Sequence, residues 1–584
     1  MSEQGGQRRR KRRRWPIVAG IVVVLALWAA ILGVRILSAY HHDKSGLAAL
    51  QQVKSNLSPG QLTSAESVRL LDEAHAEFAS AQSDLSSPLF GPITIVPVIG
   101  RQFRAVQALS TAAGTVSHVG STFLTQVHDQ LDQPHGAGPE RVTSLRRLAA
   151  YSASAGSQLA RIDTGPSQAL VGPLASKHNE FVSQLDDARS RLIKAAGVSA
   201  AVATILQGPQ TYVVLASNNA EMRAGSGAFL DVGVATTSDG TVHLGDLGPS
   251  GDRTLPVGAV NPTGDFLRNW GWLHPGLDMR NLGLTPQFDV TAPLAARMWT
   301  ALTGQKVDGV LSLDVAGVRQ LLTATGPVDV NGQTISADNV EQYLLHDQYN
   351  GLTADQAGAA PRQDGLGALT SAVLRQLQGE TTDLRTLGSA VSAAVAGRHL
   401  MLWSSDPVAQ AAWVVSGASG SLTPKSVDVS LINLGGNKLD QYMAVHVAVT
   451  TAPVGSNTAI TLTTRLDNGT PPGQSQFVAG PFPGVGVTYG GYSGLVATNL
   501  PAAATSMTMT GAGPLAIKSA EGPTWLLAAP IVIPAGSTST VVVHFVMPGS
   551  HGSMRLVPSA RIPTQQWTSD GKTFDDSVPA TISW

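Results

Sequence analysis

Seven contiguous basic residues, Arg8–Arg14, stand directly before 20 residues, Trp15–Val34, that carry no charge. As a helix, the 19 residues of Pro16–Val34 span about 28 Å at ~1.5 Å per residue, which matches the hydrocarbon core of a bilayer. The positive-inside rule places the basic side in the cytoplasm. The sequence therefore predicts a single-pass plasma-membrane protein, with a basic cytoplasmic tail (1–15), a transmembrane helix (16–36) and an extracytoplasmic remainder.

A cleaved signal peptide is the alternative interpretation of this junction. The apolar region of a signal peptide normally spans ~7–15 residues and ends at a small-residue cleavage site. The apolar run here is longer, and Leu37-Ser38-Ala39 is a poor site, so the pattern favours an uncleaved anchor. Nucleic-acid binding is not expected, because the basic run is one isolated patch beside a membrane segment, where anionic lipid is the simpler partner.

The formal net charge of −1 over 584 residues conceals an uneven distribution. Residues 1–35 contain eight Lys or Arg and one Glu, which leaves 31 basic and 39 acidic residues in the remainder. A mildly acidic remainder also argues against general nucleic-acid binding. The chain contains no cysteine. Disulfides, thiolate metal sites and cysteine nucleophiles are therefore excluded, and a core of sufficient size has to stabilise the fold.

Residues 45–205 show a helical pattern, in which apolar residues recur three and four positions apart. One such series is Leu47, Leu50, Val53 and Leu57. Proline and glycine interrupt the pattern in SSPLFGPITIVPVIG and in PHGAGPE. We therefore predict antiparallel helices that form a bundle or a stalk.

The hydrophobic pattern changes at Thr211, where short, apolar, β-branched segments begin. Strands then alternate with helices, as in the predicted strand 308–315 and the predicted helix 316–324. This alternation indicates an α/β domain with a mixed sheet over 206–420. Over 425–584, strand-like segments are separated by Gly and Pro and helical signal is absent, which predicts an all-β sandwich.

The densest polar cluster, NNAEMRAGSG at 218–227, follows the first predicted strand of the α/β region. Ligand sites in α/β folds tend to lie at such strand ends. Amide, carboxylate and guanidinium groups there can bind an anion or a sugar. The alternative is a structural loop in which the acidic and basic groups pair with each other or with another charge. The candidate ligand-binding residues of this cluster are Asn218, Asn219, Glu221 and Arg223.

A second polar set lies in the irregular stretch between residues 248 and 291. Arg253 and Arg280 join the ligand-binding candidates, because arginine is the preferred side chain for phosphate. Asp278 and Asp289 are candidate metal ligands, since carboxylate oxygens suit a divalent cation. The alternative for this set is ordinary surface ion pairing. No cofactor is evident, and Mg²⁺ is expected only if the chain is an enzyme.

Motifs for nucleophilic or zinc-dependent catalysis are absent from the sequence: G-x-S-x-G, S-x-x-K with its partner motifs, and H-E-x-x-H. Four histidines are scattered without metal-ligand spacing and are expected in loops or at the surface: His243, His274, His346 and His399. Three aspartates suit strand or helix ends: Asp308, Asp314 and Asp338. Whether the chain is an enzyme stays open at this point.

Four segments in order carry a resemblance to a known family: NNAEMRAGSGAF, DMRNLGLTPQFDVTA, VDGVLSLDVAGVRQLLTATGPVDV and INLGGNKLDQYM. They resemble motifs of domain-of-unknown-function family 4012, a family of bacterial envelope proteins whose activity is not established. The third segment is also faintly similar to the LytR-CpsA-Psr ligases. Those ligases transfer lipid-pyrophosphate-linked glycans, using Arg for the pyrophosphate and Asp for Mg²⁺, although their arginine-rich motifs are not recognisable here.

Two functions follow as hypotheses. The first is a membrane-anchored, extracytoplasmic protein with a structural or binding role in the cell envelope, which binds a cell-wall polymer or protein partners through the α/β domain. The alternative is a glycan phosphotransferase-like enzyme that acts on polyprenyl-pyrophosphate-linked polymers. Under the alternative, Arg223, Arg253 and Arg280 neutralise the pyrophosphate while Asp278 and Asp289 hold Mg²⁺.

Overall fold

The computed structural model describes residues 15–55, 64–132, 138–330, 332–349, 365–377, 383–482 and 484–584. The basic run Arg8–Arg14 lies outside the described residues. The chain divides into two compact units, Met1–Gln133 with Arg147–Ala196, and Pro134–Arg146 with Gly197–Trp584. The boundary predicted between 420 and 425 thus falls inside the second unit.

Helices dominate the chain as far as residue 207, as the sequence predicts. In the first unit, Leu70, Ala74 and Phe78 recur at four-residue spacing and pack against Ala49 and Ala113. The periodic apolar residues therefore form the contacts between helices. The helices are α1 (Trp15–Ser55), α2 (Ala65–Leu85), α3 (Gly91–Ile95), α4 (Pro97–Asp132), α5 (Pro139–Leu159) and α6 (Gly172–Gln207).

Among the described residues, one helix is long and apolar enough to cross a membrane. It is the Val24–Lys54 part of α1, with a mean hydropathy of 1.6 in its most apolar window. A signal sequence near the N-terminus satisfies the same criteria. Helix α1 continues without interruption to Ser55, so the boundary predicted at residue 36 falls within a helix rather than at its end.

The first sheet of the second unit is mixed and has six strands. Its strand order is β3-β2-β1-β5-β8, with β4 paired to β2. The β1–β5 pair is parallel and the other pairs are antiparallel. The strands of this region are β1 (Gln210–Met222), β2 (Gly227–Ser238), β3 (Thr241–Leu244), β4 (Gly248–Pro249), β5 (Gly309–Asp314), β6 (Val328–Val330), β7 (Gln333–Ile335) and β8 (Leu400–Ser404).

After β4, helices separate most of these strands, while β6 and β7 pair directly, which confirms the alternation of helices and strands seen in this part of the sequence. A helix begins directly after β5, where the Asp314 carboxylate accepts a hydrogen bond from the Gly317 N–H at 2.8 Å. This contact is a helix N-cap. The helices are α7 (Gly264–Trp270), α8 (Phe288–Thr303), α9 (Val315–Thr325), α10 (Val340–Leu345), α11 (Gly365–Gln376), α12 (Leu384–Ala396) and α13 (Pro407–Ser416).

The region after residue 425 is rich in strands, as predicted. Two six-stranded sheets form, in the orders β13-β16-β11-β10-β18-β19 and β14-β15-β12-β9-β17-β20. A short helix, α14 (Gln476–Ala479), follows β11. The strands are β9 (Ser426–Asn433), β10 (Met443–Val454), β11 (Asn457–Asn468), β12 (Tyr492–Pro501), β13 (Thr505–Thr510), β14 (Ile517–Glu521), β15 (Thr524–Ile533), β16 (Thr538–Met547), β17 (Ser553–Leu556), β18 (Gln566–Ser569), β19 (Lys572–Asp575) and β20 (Ala580–Ser583).

The sheet that contains β9 and β12 is covered on both faces. Val429 and Val496 belong to the core that this sheet shares with the other six-stranded sheet. Ile432 and Leu495 belong instead to a core that contains Leu215 of β1. All eight residues of β9 are buried for this reason. The α/β region and the strand-rich region therefore share a hydrophobic core within the second unit.

Candidate ligand-binding cleft

A cleft of about 380 Å³ opens at the end of β1, and residues from three of the resemblance segments line it. Its charged lining residues are Glu221, Arg223, Asp231, Asp278, Arg280 and Lys438. Three aromatic side chains also line the cleft. Tyr349 is buried, while Phe477 and Phe482 are partly exposed. We call this site the motif cleft.

The first fixed contact in the motif cleft is an ion pair between Glu221 and Lys438. The Lys438 ammonium donates to the Glu221 carboxylate, and both side chains are largely buried. The Lys438 nitrogen also lies 4.7 Å from the centre of the Tyr349 ring and 5.0 Å from that of Phe477. A cation above aromatic faces is stabilised by the negative face of each ring. Lys438 is thus held by one carboxylate and two rings.

Arg223 places a second cation in the cleft wall. Its Nη1 donates to the carbonyl oxygens of Asn433 at 2.8 Å and of Met222 at 3.1 Å. Burial lowers the pKa of Arg223, and the nearby Glu221 and Asp440 carboxylates oppose that shift. Arginine nonetheless remains protonated in proteins. Arg223 therefore joins β1 to the end of β9 through a permanently charged group.

The third cation, Arg280, is paired with Asp278 at the rim of the cleft. Arg280 Nη2 donates to Asp278 Oδ2 at 2.5 Å, and Arg280 Nε donates to Asp278 Oδ1 at 3.0 Å. Asp278 also accepts the Arg280 backbone N–H at 2.9 Å, which caps the short helix Met279–Leu284. The hydrogen bond to Asp278 raises the pKa of Arg280. Both Asp278 oxygens are consequently engaged by one guanidinium.

The neighbouring residues Asn218 and Asn219 point to opposite sides of β1. Asn218 lines the cleft and donates to the Tyr349 hydroxyl at 2.6 Å. Asn219 donates to the Asp314 carboxylate at 2.9 Å and to the Ala560 carbonyl at 2.8 Å. Successive side chains of a strand alternate in direction. Of the two predicted ligand-binding asparagines, the structure places only Asn218 in the cleft.

Arg253 and Asp289 also lie outside the residues that line the cleft. Arg253 donates to the Val232 carbonyl at 3.1 Å and its guanidinium lies 5.3 Å from the centre of the Trp299 ring. Asp289 accepts the Ser421 hydroxyl at 2.6 Å. Burial raises the pKa of Asp289, although the Ser421 hydrogen bond opposes this. The structure therefore does not bring Asp289 into the cleft with Asp278.

The two candidate metal ligands, Asp278 and Asp289, do not belong to a common metal-ligand cluster in the part of the chain that the structure describes. Within the described ranges, no group of three His, Cys, Asp or Glu side chains is arranged to hold a metal ion. Asp278 instead uses both carboxylate oxygens for Arg280. The donor set of this part of the chain therefore does not fit a Mg²⁺ site built on Asp278 and Asp289.

Asp440 holds the back of the cleft together and was not predicted as a functional residue. Its Oδ2 accepts the Met222 backbone N–H and the Asn433 amide, each at 2.9 Å. Its Oδ1 accepts Arg561 Nη1 at 2.9 Å and the Tyr492 hydroxyl at 3.2 Å. Asp440 is fully buried. Lys438 and Asp440 both belong to the INLGGNKLDQYM segment, which is the sequence signal that could have identified them.

A second cavity, of about 540 Å³, lies beside the Asn219 side of β1. His399 lines it, with 10% of its side chain exposed, and its Nδ1 lies 2.8 Å from Asp314 Oδ2. Burial lowers the pKa of His399, but the Asp314 charge and hydrogen bond, helped by Asp576, outweigh burial and raise it above its ordinary value. His399 lies in the loop between α12 and β8, as expected, although its side chain is largely buried. We call this site the histidine cavity.

The first three resemblance segments lie within one matched region. Residues 207–349 match the family described as protein of unknown function (DUF4012). The predicted resemblance to this family is thus confirmed over that region, which includes β1 and the rim pair Asp278–Arg280. Neither the curated proteins nor the solved structures yield a match. The faint similarity to the LytR-CpsA-Psr ligases gains no support from these comparisons.

Proposed function

We propose that this chain is a single-pass, membrane-anchored, extracytoplasmic protein that binds a glycan segment of a cell-envelope polymer in the motif cleft. The apolar part of α1 and the preceding basic residues provide the anchor and its orientation. The observation that carries the ligand assignment is the charge pairing in the cleft. The lining contains two ion pairs, Glu221–Lys438 and Asp278–Arg280, together with aromatic side chains.

The balance of charge in the cleft favours a hydroxyl-rich ligand over a strongly anionic one. Three carboxylates accompany three cations in the lining. Lys438 is paired with Glu221 and Arg280 with Asp278. A pyrophosphate would have to compete with these carboxylates for the same donors. Sugar hydroxyls can instead accept from and donate to such groups without separating the pairs.

The aromatic side chains suit the less polar faces of a sugar ring. Phe477 and Phe482 are partly exposed in the cleft. The ring of buried Tyr349 instead contacts the Lys438 ammonium group. Pockets for small ligands typically occupy ~300–1,000 Å³ and combine apolar surface with a few fixed polar groups. The cleft volume lies near the lower end of this range, which corresponds to a short segment of a polymer.

The alternative, a glycan phosphotransferase-like enzyme, is less favoured by the same geometry. It needs Arg253 near the pyrophosphate and Asp289 near Mg²⁺, but neither residue lines the motif cleft. The family matched over residues 207–349 is described as being of unknown function, so it gives this alternative no support.

The test is a calorimetric titration of the full chain in lipid nanodiscs with soluble disaccharide-peptide fragments of peptidoglycan. Phe482→Ala removes an aromatic face from the cleft, and we expect it to weaken binding about tenfold. Tyr489→Ala is the matched control, because Tyr489 is an exposed aromatic residue that does not line the cleft. The control variant should bind as the unmodified chain does.

Two outcomes would contradict the proposal. One is the absence of glycan binding by the correctly folded chain. The other is retention of a polyprenyl pyrophosphate in the presence of Mg²⁺ that is lost on Arg223→Gln or Arg280→Gln, because that result assigns the cleft to the phosphotransferase alternative.

A further inference from the structure

The connection between α2 and α4 exposes a compact apolar surface. Residues 85–100 contain no charged side chain. Within this stretch, Ile95 is 80% exposed, Val98 70% and Ile99 59%. Isolated exposed apolar residues are normal, but a contiguous group of large ones indicates a contact surface. We call the segment 88–99 the apolar turn.

The apolar turn is held in a defined conformation. Phe90 is buried and stacks on Phe103 of α4, with ring centres 4.5 Å apart. The segment forms two short helical stretches, Pro88–Phe90 and Gly91–Ile95. Arg104 Nη1 donates to the Thr94 carbonyl at 2.7 Å. The exposed side chains are thus presented by a structured turn that already satisfies part of its own backbone hydrogen bonding.

A direct contact fixes the apolar turn beside the apolar helix α1. The indole Nε1–H of Trp28 donates to the Leu89 carbonyl at 3.1 Å. Arg35, the first charged residue after the apolar run, lies 3.8 Å from Asp84, the last charged residue before the turn. The end of the uncharged stretch of α1 therefore lies beside the beginning of the uncharged stretch 85–100. All of these contacts lie within the first compact unit.

The position of Trp28 gives the depth of the turn. Trp28 precedes Val34 by six residues, about 9 Å along a helix. Half of a bilayer hydrocarbon core is about 15 Å thick. If Pro16–Val34 spans the core, the Leu89 carbonyl lies inside the leaflet nearest Arg35. The hydrogen bond from Trp28 gives the Leu89 carbonyl a partner in that leaflet, where leaving a backbone carbonyl unpaired is energetically costly.

We propose that the apolar turn inserts into the lipid leaflet beside α1, as a second membrane contact of the same chain. The occupant of its exposed surface is lipid acyl chain. This assignment rests on the proposed anchoring of α1, and it is argued from the continuity of the two apolar surfaces. Leu27, Ile31 and Val34 of α1 are exposed in the same region as the turn, and the Arg35–Asp84 pair marks its polar limit.

The natural absence of cysteine makes the test direct, because single cysteines can be labelled without removing any native residue. The full chain is reconstituted in phosphatidylcholine vesicles with an environment-sensitive NBD label at Ile95→Cys or Val98→Cys. Ile31→Cys reports on the anchor, and Val408→Cys, at an exposed apolar residue of the second unit, is the aqueous control. Quenching by nitroxide attached to lipid acyl chains is compared with quenching by aqueous iodide.

We expect the labels at positions 95 and 98 to lose fluorescence with nitroxide lipid and to be protected from iodide, as at position 31. The label at position 408 should show the reverse. Iodide quenching at 95 and 98 with lipid quenching at 31 would overturn the inserted turn while leaving the anchor intact. Iodide quenching at all positions would overturn both the turn and the proposed anchor. Protection at 95 and 98 from both quenchers would mean that a protein surface covers the turn, which also overturns the proposal.

Discussion

The motif cleft and the histidine cavity lie on opposite sides of one strand, yet they hold their charges differently. In the motif cleft, Lys438 and Arg280 each pair with a carboxylate. In the histidine cavity, Asp314 pairs with an imidazole, whose charge changes near neutral pH. The cleft is therefore a fixed polar surface, whereas the cavity contains a group that responds to proton concentration.

This difference suggests separate roles for the two sides of β1. A cleft with internally neutralised charges changes little on binding and suits a ligand recognised by shape and hydroxyl groups. The Asp314–His399 pair instead contributes to folding in a pH-dependent manner. Neighbouring residues Asn218 and Asn219 serve the two sites separately.

Breaking the connection between the two sites should have the largest effect. Arg561 lines the histidine cavity, and its guanidinium donates to Asp440 behind the motif cleft. Both side chains are fully buried. Arg561→Met leaves an uncompensated buried charge, and we expect a loss of about 3–5 kcal/mol in the unfolding free energy of the second unit, measured by urea denaturation.

The matched control for Arg561→Met is the double variant Asp440→Asn/Arg561→Met. Neutralising both partners should recover much of the loss, because no buried charge is then left unpaired. A loss below about 1 kcal/mol in the single variant would show that the pair does not connect the two sites.

Within the motif cleft, the Glu221–Lys438 pair should contribute the next largest effect. Lys438→Met leaves the Glu221 carboxylate without its cation. This carboxylate is slightly more exposed than that of Asp440, so we expect a smaller loss of unfolding free energy, about 2–3 kcal/mol. A double-mutant cycle with Glu221→Gln measures the coupling directly. Simple additivity of the two single changes would contradict a fixed pair.

The histidine cavity should show itself in the pH dependence of stability. The pKa of His399 is raised in the folded state, so protonation favours folding. Its contribution is fully present below the unfolded pKa of about 6.5 and is lost as pH rises through the higher folded pKa. His399→Gln should therefore flatten the decline of the thermal midpoint above about pH 6.5. His243→Gln, an exposed control, should not.

An unchanged pH profile in His399→Gln would remove the contrast between the two sites. The thermal midpoint of the double variant Glu221→Gln/Lys438→Met is measured over the same pH range as a comparison. Above pH 6.5 it should decline with pH as steeply as that of the unmodified chain.

The rim pair of the motif cleft should have the smallest effect on stability. Arg280 is 41% exposed, and exposed ion pairs typically contribute ~0–1 kcal/mol. Arg280→Gln should therefore change the unfolding free energy by less than about 1 kcal/mol. A larger loss of unfolding free energy, measured by denaturant unfolding, would show that the Asp278–Arg280 pair stabilises the fold and is not an accessible rim pair.

Much of the fold followed from local patterns in the sequence. The period change at Thr211 located β1, and Asp314 was placed correctly at a strand-to-helix junction because a short acidic side chain there can cap the helix. The long α1 was not foreseen as one element, since the apolar run and the amphipathic series after it differ in composition but share one helical backbone.

The candidate site was predicted only in part, because its contacts are remote in sequence. Glu221 and Lys438 are separated by 217 positions. No local pattern encodes such a pairing. The choice between Asn218 and Asn219, in contrast, could have been narrowed, since adjacent residues of a strand face opposite sides. Arg253 and Asp289 were grouped with the site by composition, and their different surroundings depend on tertiary packing.

The most direct test of the central claim, that the motif cleft is an internally neutralised glycan site, is the salt dependence of ligand binding. The full chain in nanodiscs is titrated with peptidoglycan disaccharide-peptide fragments at about 0.05 M and about 0.5 M salt. We predict that the affinity changes by less than about twofold, because three carboxylates balance the three cations of the cleft lining. A fall of about tenfold or more would show that unpaired cations of the chain recognise an anion, which would contradict this account.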